Sequence, residues 1–129
     1  MLLDTHIMLW ALTADRRLPE MAASLISDPD NDIYVSAASL WEISIKHSLA
    51  RGSPQDMPIS GKQALAYCES AGYDFLAVTV AHAAAVSDLP ALHRDPFDRM
   101  LVAQAKLEPM RLLTHDAAVG AYDADIILV

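Results

Sequence analysis

The chain has 129 residues, 53% of them hydrophobic, and a formal net charge of −8, which fits one domain spanning residues 1–129. That apolar content excludes a disordered chain, and the single Cys68 excludes an internal disulfide and a cysteine zinc site. The acidic balance counts against a simple nucleic-acid-binding module, because the whole chain would repel a phosphate backbone. It leaves room for a metal-dependent enzyme acting on phosphates, since clustered carboxylates hold Mg²⁺ and the ion reverses the local sign. The uncharged apolar stretches around residues 5–14 and 75–87 are too short to cross a bilayer, and no basic region precedes the first of them. The expectation is a cytoplasmic protein with no membrane contact.

In chain order, "MLL" reads as a short strand ending at Asp4, and "THIMLWALTA" as a helix with Thr5 as cap. "LPEMAASLIS" is a second helix with Pro19 in its first turn, "DPDND" a turn, and "IYVS" a buried strand. "SAASLWEISIKHSLARG" is the clearest helix, with Leu40, Ile43, Ser44 and His47 on one side and Gly52 as its stop. A Pro-containing loop over 53–60 leads into the helix "SGKQALAYCESAG", closed by Gly72. "FLAV" is a strand, "TVAHAAAVSDL" a helix, and "DPFDRMLVAQAKLE" a helix capped by Asp95 with Pro96 at its first position. "MRLLTHD" is a strand running into a loop, and "IILV" is the last strand. Trp10 and Trp41, at helical spacing among apolar neighbours, read as core. The alternation predicts an α/β fold with a mostly parallel sheet of four to five strands and helices on both faces.

In such sheets ligands bind beyond the carboxyl ends of the strands, where Asp4 and Asp116 both fall. Glu42 and Asp98 lie early in helices whose preceding junctions open at the same rim. Each acid also has a plainer reading: Asp4 as a helix cap, Glu42 as a surface residue paired with Lys46 at i,i+4, Asp98 as a first-turn acid on the helix dipole, Asp116 as the cap of a short helix "DAAVGAY". Four converging carboxylates repel one another unless a divalent cation sits among them. His93, Arg94 and Asp95 either organise such a site and bind phosphate, or are a cap and solvated loop. His47, His82 and His115 have no metal-ligand spacing, and of these three only His115 adjoins one of the acids, Asp116.

"LLDTHIMLWAL", "SAASLWEISIKHSLARG", "HRDPFDRMLVAQA" and "RLLTHD" resemble, in this order and spacing, the successive motifs of PIN-domain ribonucleases, and most of all the VapC-type toxins of toxin–antitoxin modules. The resemblance runs from about residue 2 to the end. It implies a compact α/β/α sandwich, Mg²⁺ or Mn²⁺ in an acidic pocket, and endonucleolytic cleavage of RNA. It puts the family's four acids on Asp4, Glu42, Asp98 and Asp116, with Asp95 as the rival for the third. It puts small hydroxyl residues at Thr5 and Thr114; from the residues themselves, Arg94 or Arg99 is expected to meet the substrate and offset its developing charge. The resemblance also implies a homodimer and a cognate antitoxin, whose basic segment the acidic chain would suit.

Overall fold

In the computed structural model, which describes residues 1–129, the apolar runs of two or three residues become the strands of one sheet. The elements are β1 (Leu2–Leu3), α1 (Thr5–Leu12), α2 (Glu20–Ser27), β2 (Tyr34–Ser36), α3 (Ala37–Ser48), α4 (Gly61–Ala71), β3 (Asp74–Leu76), α5 (Val80–Ala85), α6 (Pro96–Leu107), β4 (Leu112–Thr114), α7 (Ala117–Gly120) and β5 (Ile126–Leu128). The sheet has five strands in the order β3-β2-β1-β4-β5, and every pairing is parallel. The chain runs from β1 outward to β3, then crosses back to β4 on the other side of β1. The order therefore reverses at β1, the place in a parallel sheet where a crevice opens at the carboxyl edge.

Successive strand residues face opposite sides of a sheet, and the core follows that rule. Leu3 and Leu113 are fully buried in an apolar cluster with Ile7, Met8, Val35, Ile43 and Cys68. Leu2 and Leu112, one residue earlier, are fully buried in a second cluster with Leu101, Val102 and Val119. Both faces of the sheet are thus covered by helices, giving the three-layer α/β/α arrangement. No helix is long and apolar enough to cross a membrane.

Several local expectations change. The cap of α1 is Asp4, not Thr5: its Oδ1 accepts from the Ile7 amide at 2.8 Å, while the Thr5 side chain turns elsewhere. α3 ends at Ser48, where the amides of Leu49 and Ala50 bond the carbonyls of Lys46 and His47 in tight final turns, so Gly52 is no stop and only takes a left-handed turn (φ +83°) beyond it. Ser44 and His47 are exposed rather than packed with Leu40 and Ile43. β3 starts one residue before "FLAV" and covers only its first two residues, and α5 gives way to a 3₁₀ turn over Val86–Asp88. Trp10 is core as expected, but Trp41 is 63% exposed, edge-on to Phe97 across α3 and α6. Gly72, by contrast, does close α4 in the left-handed region.

One buried polar tie joins the layers on the far side from α1. Gln104 on α6 is fully buried; its Oε1 accepts from Ser36 Oγ at 2.6 Å and its Nε2 donates to the Ala77 carbonyl at 3.3 Å. Ser36 in turn accepts from the Ala38 amide and so caps α3. Removing one partner strands the other buried groups at about 1–3 kcal/mol. Gln104→Leu, similar in size, is therefore expected to lower unfolding stability in urea by about 2 kcal/mol.

Candidate metal centre

Each of the acids is delivered by a junction at the carboxyl edge of the sheet. Asp4 follows β1 directly and caps α1 with Oδ1, while its Oδ2 accepts from the Thr114 hydroxyl at the end of β4. It is 3% exposed, and burial pushes its carboxyl above the usual range against the pull of Thr114, the Ile7 amide and His6. The cap reading is thus correct for one oxygen, and the other spans from β1 to β4.

Glu42 sits on the second turn of α3 and is 2% exposed. It does pair with Lys46, but as a buried group, so the surface reading fails. Its Oε2 takes the Lys46 ammonium, and its Oε1 lies 2.7 Å from Thr5 Oγ1. Ser39 Oγ is 3.0 Å from the same hydroxyl. The single Thr5 proton serves the carboxylate, and Ser39 donates back to the Thr5 oxygen. Both threonines beside the acids are buried and hold carboxylates in place.

Asp95 is the cap of α6, its Oδ1 accepting from the amides of Phe97 and Asp98. Asp98 is left free to face the other acids. Its carboxyl is pushed up to about 7, first by burial and then by the charges of Asp95, Asp4 and Glu42, with His93 opposing. Asp116 caps α7 through Oδ1 on the Ala118 amide. Burial would raise its carboxyl, yet the hydrogen bond from His93 and the Ala118 amide hold it below the usual range.

His93 is the residue that sequence reasoning left undecided. Its Nδ1 accepts from the Asp95 amide at 3.1 Å, which places the ring proton on Nε2. That proton faces Asp98 Oδ2 at 3.0 Å and Asp116 Oδ2 at 2.9 Å. The polar atoms of His93, Asp98 and Asp116 lie within 4.8 Å of one another; with Nε2 protonated, His93 clamps the two carboxylates rather than offering a lone pair, and Asp4 and Glu42 stand outside this trio. The spacing HRDPFD was the available signal: a histidine two residues before a helix cap reaches back over the first turn. The Tyr122 hydroxyl accepts from the His93 amide and from Arg99 Nη1, both at 3.0 Å. The Arg99 guanidinium also donates to the carbonyls of Pro90, Val86 and Leu89, tying down the loop before α6. Arg94 is exposed. His115, on the other side of Asp116, lines a cavity of about 380 Å³ with Asp4, His6, Trp10 and Asp116. His82 takes no part; its Nδ1 accepts from the amide of Thr79, the cap of α5, and its Nε2 pairs with Glu108.

One family model, that of the PIN domain, matches residues 1–125. The chain belongs to the PIN-domain family. No curated protein matches this PIN domain in sequence. Among solved structures it is similar to VapBC2 from Rickettsia felis bound to a DNA fragment from their promoter, at 17% identity and TM-score 0.67, over 99% of this chain and 96% of that one. It is also similar to FitAB bound to an IR36 DNA fragment, at 19% identity and TM-score 0.68, over 98% and 93% of the two chains. At these identities the likeness establishes the fold.

The raised Asp98 carboxyl has a pH signature. A folded-state value of about 7 against an ordinary 3.8 means that the folded chain holds a proton the unfolded chain has released, so stability falls as pH rises through that window. Buried Asp4 acts in the same direction. In EDTA, chemical unfolding is expected to show stability declining from pH 4 to pH 7, with a shallower decline in Asp98→Asn; an unchanged slope in the variant would place the proton elsewhere.

Proposed function

We propose that this PIN domain is a divalent-metal-dependent endoribonuclease and the toxin of a toxin–antitoxin pair, working in the cytoplasm. The observation that carries the reading is the state of Asp98: burial and three neighbouring carboxylates push it up to about 7, a repulsion that a cation between them relieves. The donor set suits such an ion, since hard divalent cations prefer carboxylate oxygens. Asp4, Asp98 and Asp116, with Glu42 completing the pocket, would hold Mg²⁺ or Mn²⁺. When bound, such an ion lowers the pKa of a coordinated water and offsets the charge of the phosphate under attack.

The chain's own residues prepare that chemistry. Thr114 fixes the free oxygen of Asp4, Thr5 orients Glu42, and the His93 Nε2–H holds Asp98 and Asp116 together. Lys46 offsets the charge of Glu42. Arg94 is the exposed cation left to meet a substrate phosphate, whereas Arg99 acts through the loop it ties and through Tyr122. A partner is supported by the net charge of −8, which suits a basic docking segment, and by the two-component names of the similar structures. An exposed apolar groove containing Trp41, Phe97 and Met100 offers surface for protein contact, consistent with an antitoxin and a homodimer.

The test is cleavage of total cellular RNA by partner-free protein with Mg²⁺, Mn²⁺ or EDTA, with mapped ends. Discrete cuts bearing 5′ phosphates are expected with a divalent ion and none in EDTA. Asp4→Asn is expected to lower the rate at least a hundredfold while circular dichroism shows a retained fold. Full activity in Asp4→Asn, or cuts that persist in EDTA, would overturn the reading.

A further inference from the structure

Three aromatic rings stand beside the acids, outside the set of carboxylates proposed to hold the ion. His6 is exposed and its ring makes no hydrogen bond. His115 is exposed and binds the Val129 carbonyl through Nδ1, which leaves Nε2 free. Between them Trp10, 8% exposed, forms a floor, with ring centroids 5.9 Å from His6 and 5.6 Å from His115. The Trp10 indole nitrogen is the one buried side-chain polar atom with no partner. All three rings line the cavity of about 380 Å³ whose other wall is Asp4 and Asp116. Its size is that of a small-ligand pocket.

A larger cleft of about 850 Å³ adjoins this cavity, and His6 and Trp10 line both. In the cleft, the Arg17 guanidinium lies 5.4 Å from the Trp10 ring, and Lys46 enters from α3. Arg17 is held by Asp15 and Lys46 by Glu42, so the cleft carries little net positive charge. Resting on the nuclease reading above, we infer that the smaller cavity seats a nucleobase next to the scissile phosphate and that a single RNA strand runs on from it into the cleft. Rings with so little free charge around them bind by stacking, which favours unpaired bases over a duplex or an acidic peptide. Two cations at most reach phosphates along this path, so the salt dependence is shallow.

The experiment uses the full chain carrying Trp41→Phe, so that Trp10 is the only indole, and Asp98→Asn, so that the strand survives in Mg²⁺. Its fluorescence is titrated with a single-stranded oligouridylate and with an abasic ribose–phosphate oligomer of equal length. The oligouridylate is expected to quench Trp10 and the abasic oligomer to bind at least tenfold more weakly. His6→Gln and His115→Gln, each checked for fold by thermal melting, are each expected to weaken oligouridylate binding several-fold. The log–log slope of affinity against salt is expected to be no steeper than about −1.4, two phosphate contacts at about 0.7 each. Equal binding of the abasic oligomer, an unquenched Trp10, or histidine variants that bind as well as the parent would overturn the inference. With metal-dependent RNA cleavage intact in the unmodified chain, those results would leave the nuclease reading standing; loss of cleavage under every divalent ion would instead remove the reading beneath it.

Discussion

The charge of Asp4 is the constraint around which this PIN domain is arranged. A carboxylate taken into a core is costly unless hydrogen bonds and neighbouring charge compensate it. Here one oxygen caps α1 and the other is held by Thr114, so the same group starts a helix and joins β1 to β4. Ile7 and Met8 can then pack under the sheet from the first turns of α1, and Leu113 can sit against them from β4. The other acids are brought to this point by the remaining strand-to-helix junctions, and the parallel order puts those junctions on one edge. What assembles the core therefore also concentrates negative charge.

That concentration is graded. Glu42 is offset by Lys46 and Thr5, Asp116 is held low by His93 and its helix cap, and Asp4 and Asp98 are both left raised by burial. At the start of α6 the outcome follows from which carboxylate is spent on the cap. Asp95 takes the amides at the start of α6, which releases Asp98 from that duty and turns it toward Asp4 and Glu42. Two acids three positions apart in "DPFD" thus end in different roles because a helix has only one N-terminus to cap.

The fold was largely legible in the sequence because the strands are short apolar runs and the helices carry caps and glycine stops, as at Ser60, Gly72 and Asp95. The misreadings are of two physical kinds. Where a turn could close by backbone bonds alone, as after Ser48, a glycine nearby misled the boundary. Where a residue's surroundings come from distant elements, spacing gave no warning: Trp41 looks like core on its own helix but faces solvent beside Phe97, and Glu42 looks like a surface pair but is buried. The four acids could be set on one rim from the alternation of elements. The bridging role of His93 could not, since it depends on where β4 places Asp116 relative to α6.

β1 contributes only Leu2 and Leu3, yet it is the middle strand and is paired on both sides. The amide of Asp4 bonds the Leu113 carbonyl and that of Leu2 the Arg111 carbonyl, while Met1 accepts from Tyr34 on the opposite flank. So short a strand has no length over which a disturbance at its end can die away. A loosening at the Asp4 carboxylate would reach both ladders at once, and the amides of residues 2–4 are expected to exchange with solvent together with it. Anything that binds there and quiets the repulsion also slows that opening, so in this chain occupancy of the site and rigidity of the sheet are one equilibrium.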